Sequence, residues 1–310
     1  MAGVALLAGC GSAPLPPPPA AVAIATEDAD TLRFVAIGDV GTGSASMRLV
    51  ADAVARTCAE RRCDLIAILG DNLYPAGMEA DDDPRFEAWV VSPYERSGVP
   101  LVILLGNHDY ADGRQAAVAQ RELDWVARTG RGVLPAPYYA ATAGPADLVV
   151  TDTSRVFWGD PGQIAWAAET LAAAERRWRV VLGHHTWRSD GPHGNAGAYE
   201  GFPGIPWSSG AAVSRLLDGV VCGNADLYVG GHDHSLQLLD APCGGHIVVS
   251  GAAARGTTLP GRGNAPHFAT TVPGFAWIEL GDRGRVVFFD QDGAVLHDAD
   301  IGPPLPRAGL

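Results

Sequence analysis

Short runs of branched apolar residues, each ending in glycine and then in polar side chains, set the rhythm of this chain. Phe34 to Ile37 leads into Gly38-Asp39, and Leu65 to Leu69 into Gly70-Asp71-Asn72-Leu73-Tyr74. Leu101 to Leu105 leads into Gly106-Asn107-His108-Asp109, Val180 to Leu182 into Gly183-His184-His185, and Leu227 to Val229 into Gly230-Gly231-His232-Asp233-His234. Such a run reads as a buried strand, and the polar residues beyond it lie at its C-terminal end, where open α/β sheets place their ligands.

Between the first two strands, Ser44 precedes Met47, Val50, Ala51, Val54 and Cys58 at helical spacing, which predicts a crossover helix and so a βαβ unit. A second helix is predicted around Gln115 to Arg128. A third starts at Asp160-Pro161, with a capping Asp160, proline at the first helical position and Gln163 reaching back, and ends near Arg177. Leu148 to Thr151, Ile247 to Ser250, Phe275 to Leu280 and Val286 to Phe289 predict further strands, the last joined to Ala294 to Leu296 through the hairpin turn Asp292-Gly293. Alternating strands and helices, with more strands in the second half, predict an α/β fold of two packed sheets covered by helices.

Composition changes the picture in two ways. The 310 residues, 47% of them hydrophobic, are enough for one large core or at most two. A formal net charge of -13 with no long block of Lys or Arg excludes a dedicated nucleic-acid binder and favours small or exposed substrates. At the N-terminus, Met1 to Cys10 ends Leu7-Ala8-Gly9-Cys10, like a bacterial lipoprotein signal cut before a lipidated cysteine, although a basic leader is missing. The alternative is a chance apolar start. Pro14 to Pro19 would then be a stiff tether, and no other segment could span a membrane. The expected organisation is a signal and tether over 1–30, a catalytic domain over 31–300 and a tail over 301–310, in a monomer exported to the periplasm or cell surface. Cys58 with Cys63 and Cys222 with Cys243 could each close a loop in an oxidising compartment, or else remain buried thiols.

Any one of the polar blocks is more often an ordinary turn than a site. As a set they converge: His108, His184, His185, His193, His232 and His234, six of nine histidines, lie in or just after strand-end blocks with Asp39, Asp71 and Asn107. His246, His267 and His297 lie outside them. The blocks GDVG, GDNLYP, GNHD, GHH and GHDH, in that order over Asp39 to His234, resemble the calcineurin-like metallophosphoesterases. The tyrosine of GDNLY resembles the purple, tartrate-resistant acid phosphatase branch of that superfamily.

The resemblance implies a four-layer α/β/β/α sandwich of two mixed sheets with a dinuclear metal site at the strand C-terminal ends. It implies Asp39, Asp71, Tyr74 and His234 as ligands of one ion, and Asp71, Asn107, His184 and His232 as ligands of the other. Two cations about 3.5–4 Å apart need a shared anionic ligand, a role that suits the two oxygens of Asp71. A phenol must lose roughly five pKa units, about 7 kcal/mol, to ionise near pH 5, which a trivalent cation could supply. The expected pair is therefore Fe(III) with Fe(II), Zn(II) or Mn(II). His108 is expected to protonate the leaving group as general acid, oriented by Asp109 or another carboxylate. Asp109 and Asp233 could instead only brace a neighbouring histidine. His185 and His193 are expected to line the substrate-binding pocket, His185 as its wall or as a support for the ligands, and His193, in a turn-rich loop, as a group reaching the substrate phosphate or as an exposed loop histidine. The expected activity is hydrolysis of a small phosphate ester by an acid phosphomonoesterase using metal-bound hydroxide. A phosphodiesterase or nucleotide pyrophosphatase is the first alternative, and a lipid-anchored metal-binding protein without turnover is the second.

Overall fold

The computed structural model describes residues 20–111, 115–200 and 210–307. In chain order its strands are β1 (Val22–Ile24), β2 (Leu32–Ile37), β3 (Leu65–Ile68), β4 (Leu101–Ile103), β5 (Tyr139–Ala143), β6 (Ala146–Val150) and β7 (Trp178–Leu182). They continue as β8 (Leu227–Gly230), β9 (Leu236–Asp240), β10 (His246–Ser250), β11 (Phe268–Thr270), β12 (Gly274–Leu280), β13 (Gly284–Asp290) and β14 (Val295–Gly302). The longer helices are α1 (Ala45–Arg61), α2 (Ala116–Thr129) and α3 (Pro161–Ala172).

Two mixed sheets form, one in the order β14-β13-β12-β2-β3-β4 and the other β1-β5-β6-β7-β8-β10-β9-β11. In the first, β2, β3 and β4 run parallel and β12 to β14 extend it antiparallel; in the second, β6, β7, β8 and β10 are parallel. The period of two along each buried strand explains the layering. On the larger sheet Leu148, Val180, Leu182, Leu227, Val229 and Val248 join one cluster with Phe34 and Phe288 of the other sheet. The residues between them, Val149, Val181, Tyr228, Ile247 and Val249, join a second cluster with Leu171 of α3 and with Val213 and Leu216. One face packs sheet on sheet and the other packs helix on sheet, so the expected four-layer sandwich is observed.

Local chemistry fixes the helix starts as the sequence predicts. Ser44 accepts from the Met47 amide at 3.1 Å and Asp160 from the Gln163 amide at 3.3 Å. The third helix ends at Ala172, not near Arg177, and Gln163 does not reach back to its cap: its side-chain oxygen accepts from the Asp152 amide at 2.8 Å. Cys58–Cys63 and Cys222–Cys243 are both disulfides.

The domain limits differ from expectation at both ends. β1 lies inside the segment read as tether and pairs in parallel with β5, and β14 runs on through Gly302. Hidden strands account for this: β1 has three residues, β5 reads Tyr-Ala-Ala-Thr-Ala, and β14 is a half-exposed edge carrying His297, Asp298 and Asp300. Cys10 and the Pro14 to Pro19 run lie outside the described residues. Among the described residues no helix is long and apolar enough to cross a membrane.

Candidate metal centre

The two sheets meet at the C-terminal ends of their parallel strands. Ser250, at the end of β10, accepts from the Gly38 amide at 2.8 Å and donates its hydroxyl to the Ala36 carbonyl, joining the larger sheet to β2. The Asp39 amide donates to Gly70 O at 3.0 Å and the Gly231 amide to His184 O at 3.0 Å, so the polar blocks are tied into one surface. Asp39, Asp71 and His232 sit at φ of 61°, 53° and 67°. These are left-handed conformations that non-glycine residues rarely hold and that cluster at functional sites.

Seven side chains converge there in two groups. Tyr74 Oη lies 2.9 Å from Asp39 Oδ1, 2.9 Å from Asp71 Oδ2 and 3.1 Å from His234 Nε2. On the other side, His184 Nε2 lies 3.2 Å from Asp71 Oδ1, 3.0 Å from Asn107 Oδ1 and 3.2 Å from His232 Nδ1. Asp71 thus gives one oxygen to each group. The ring nitrogens facing away from these groups are engaged as well. His184 Nδ1 is 2.8 Å from Leu69 O, His232 Nε2 meets Glu200 Oε1, and Arg255 Nε donates to His234 Nδ1 at 3.0 Å. Outer partners of this kind fix the orientation of ligating imidazoles.

The electrostatics ask for cations. Asp39 and Asp71 are buried, and among the described residues their ion-pair partners are histidines. Burial alone would push the His184 imidazole down, but the Asp71 carboxylate lifts it to about 10. Burial, then the Asp39 and Asp71 carboxylates beside it, push the Tyr74 phenol well above its ordinary value. Two buried carboxylates, an amide oxygen, a phenol and three imidazoles form an O/N donor set suited to transition-metal ions. Without cations the set must hold protons in their place, so loading it would release protons.

His108 lies beside this centre and outside both groups. Its Nδ1 is 2.5 Å from the Pro75 carbonyl and its ring packs on Tyr74 with centroids 4.5 Å apart. With Nδ1–H donated to the carbonyl, Nε2 faces the centre, 3.9 Å from Asp71 Oδ2. Asp109 does not orient it. The Asp109 carboxylate is fully buried and accepts from the amides of Gly106 at 2.7 Å, Asn72 at 2.8 Å and Leu73 at 3.2 Å. In the tight turn His108–Tyr110 the Asp109 side chain is buried and binds the β3 and β4 loops together, while His108 stays part-exposed beside the centre. Burial, then the nearby Asp71 charge, raises its carboxyl to about 7.

His193 and His185 flank the second group. The His193 ring lies over that of His232 with centroids 4.0 Å apart and its side chain is 42% exposed, so it can meet a ligand. Asp233 holds its loop, accepting from the amides of His193 at 3.0 Å and Gly194 at 3.3 Å. His185 is buried, stacks on Phe157 and has Nδ1 2.9 Å from Thr153 Oγ1, a wall and not an open contact. His246, His267 and His297 lie away from the centre, against Asp240 and Phe268.

Two residues of the site carry no motif. Glu200 meets both His232 and His193, and Arg255 touches His234 while its guanidinium lies 5.6 Å over the Tyr74 ring. Neither has a telling neighbour in sequence; an acidic residue seven positions past His193 in a glycine-rich stretch is the faint signal for Glu200.

Comparison with known proteins agrees with this geometry. The chain is 26% identical to rat tartrate-resistant acid phosphatase type 5 over 91% of its own length and 93% of that protein's. It is 29% identical to the pig protein of the same name, covering 87% and 86% of the two chains, and 25% identical to purple acid phosphatase 17 of Arabidopsis thaliana, covering 86% and 83%. Among solved structures the fold is shared with GAP50, the anchor in the inner membrane complex of Plasmodium, at a TM-score of 0.73, 18% identity and coverage of 89% and 90%. It is shared too with purple acid phosphatase PPD1 of yellow lupin, at a TM-score of 0.66, 17% identity and coverage of 93% of this chain and 55% of that one. Residues 32–236 match the calcineurin-like phosphoesterase family, and the chain belongs to that family of hydrolases, with purple and tartrate-resistant acid phosphatases as its relatives.

Proposed function

We propose that this protein is a phosphomonoesterase working in the acid range on small phosphate esters, with a dinuclear centre of Fe(III) and a divalent iron, zinc or manganese ion. The observation that carries the reading is Asp71, whose two oxygens are divided between two complete donor groups 2.9 to 3.2 Å away. Asp39, Asp71, Tyr74 and His234 would hold one ion, and Asp71, Asn107, His184 and His232 the other. When bound, the pair supplies Lewis-acid charge for a phosphate oxygen and an ionised water as nucleophile. Tyr74 argues for the trivalent ion, because a phenol pushed up by burial and two carboxylates needs a strong positive charge to ionise.

The remaining chemistry belongs to the chain's own side chains. His108 presents Nε2 to the centre while the Pro75 carbonyl holds Nδ1, so a proton on Nε2 can pass to a departing alkoxide. His193, exposed beside His232, can donate to a phosphate oxygen. The Plasmodium neighbour described as an anchor is a reminder that the fold alone does not decide turnover. His108, with no place in either donor group, favours catalysis.

Metal-loaded protein assayed on monoesters and diesters tests this reading, together with His108→Ala. That variant should keep its metal and lose roughly 10²- to 10⁴-fold in turnover on an alkyl phosphate. It should lose less on a nitrophenyl ester, whose phenol leaves without much protonation. In the same preparations Tyr74→Phe should remove the visible phenolate-to-iron absorption. Equal losses on both ester types, with chemistry rate-limiting, would mean that His108 positions phosphate and is not the acid; a preference for diesters would shift the substrate class.

A further inference from the structure

Beside the second donor group, a further cluster of titratable side chains is built around Glu200. Its carboxylate is 14% exposed; Oε1 lies 2.5 Å from His193 Nδ1 and within hydrogen-bond distance of His232 Nε2, and Oε2 is 3.7 Å from His185 Nε2. Three imidazole rings crowd around it, with the His232 ring centroid 4.5 Å from that of His185 and 4.0 Å from that of His193. Among the described residues no Arg reaches this carboxylate, so its ion-pair partners there are histidines alone.

We infer that Glu200 is a positioning residue that couples the second metal position to the phosphate-binding position by holding His232 with its Nδ1 toward the centre and His193 over the substrate side. The geometry is that of a carboxylate–histidine–metal relay, in which an outer carboxylate fixes ring tautomer and aim. Here the same oxygen also accepts from the Nδ1 of a second imidazole, His193, whose other nitrogen is left to face a ligand. A shift of the Glu200 side chain therefore moves both rings at once.

This inference rests on the phosphatase reading, and the experiment separates the two. Metal-loaded wild type, Glu200→Gln, Glu200→Asp, His193→Ala and Glu200→Gln/His193→Ala are compared for metal equivalents, affinity of the second ion by chelator competition, KM against kcat, and inhibition by inorganic phosphate. Glu200→Gln should bind the second ion about 10- to 100-fold more weakly, the usual effect of losing such an outer partner. It should also raise KM and the phosphate inhibition constant by roughly tenfold, as expected for a lost bond to a charged group. With the second ion held at saturation, the same change in the His193→Ala background should add nothing to the phosphate constant, since Glu200 then reaches phosphate only through that ring. Glu200→Asp, which keeps the charge, should retain more of both affinities than Gln does. The inference is overturned if Gln matches wild type or Asp, if the phosphate effects simply add, or if wild type carries a third equivalent of metal that Gln loses, which would make the cluster an ion site. A wild type that takes fewer than two ions, or turns over no phosphate ester, sinks the phosphatase reading and this inference with it.

Discussion

Gly106 offers the sharpest test of the bridging role proposed for Asp71. A methyl group built on Gly106 would lie 2.2 Å from both the Asp71 amide nitrogen and its Oδ1, and 2.9 Å from its Cγ. Gly106 has no positive φ, so Gly106→Ala introduces little backbone strain and acts through space alone. Restoring an ordinary contact of about 3.4 Å requires a shift of about 1.2 Å, whereas metal–ligand distances tolerate about ±0.2 Å. The backbone of Asp71 is struck as well as its carboxylate, and its φ of 53° leaves the loop little freedom to move aside. Overpacking of this kind costs about 1–3 kcal/mol, and relieving it by giving up the bridging position would weaken metal binding about 5- to 150-fold. Metal equivalents and chelator competition measure the loss for both ions, and circular dichroism checks that the variant is folded. Gly219→Ala is the control, since a methyl there meets nothing within 4 Å. A folded Gly106→Ala holding two equivalents at wild-type affinity would refute the bridging assignment.

Two further outcomes follow from buried carboxylates. Asp109→Ala strips the acceptor from three amides in a dry interior, so urea unfolding should show a loss of about 3–6 kcal/mol; a variant of wild-type stability with a defect confined to alkyl phosphates would instead return Asp109 to orienting His108. Asp152 is raised to about 6, first by burial and in spite of its bond from Tyr110, so the folded state holds the extra proton between about pH 4 and 6. Its contribution is present below pH 4 and is lost, by about 3 kcal/mol, as pH rises through 6; Asp152→Asn should flatten that part of the stability profile, and an unchanged slope would refute the shift.

Apart from β1 and its partner β5, the parallel strands were legible because each is a largely buried run, and a buried parallel strand carries its apolar signal in a few consecutive residues. β9 was not, although it is buried, because Leu236–Asp240 follows the His232-Asp233-His234 block directly and reads as part of the same loop. The exposed ends of β14 fail for the opposite reason, since an edge strand with Asp298 and Asp300 paired to Arg285 and Arg283 looks polar. Each such pair is a surface contact worth little energy, and the register comes from β13 and not from composition.

The same distinction separates the side chains of the site. Asp39, Asp71, Asn107, His184, His232 and His234 lie two to four residues beyond a strand end, so the chain's local grammar places them, and the glycines before Asp39, Asp71 and His232 mark loops that turn sharply. Left-handed φ at those three donors costs energy that local structure does not return, which fits a site shaped for ligands. Asp109 misleads because adjacency in sequence is not adjacency in space: one step along a tight turn takes the chain from a part-exposed imidazole beside the centre to a carboxylate sealed among backbone amides. Glu200 and Arg255 show the converse. Each reaches its histidine from 32 or 21 positions away, across the fold, and what makes either one matter is a ring nitrogen that only the folded chain brings within reach.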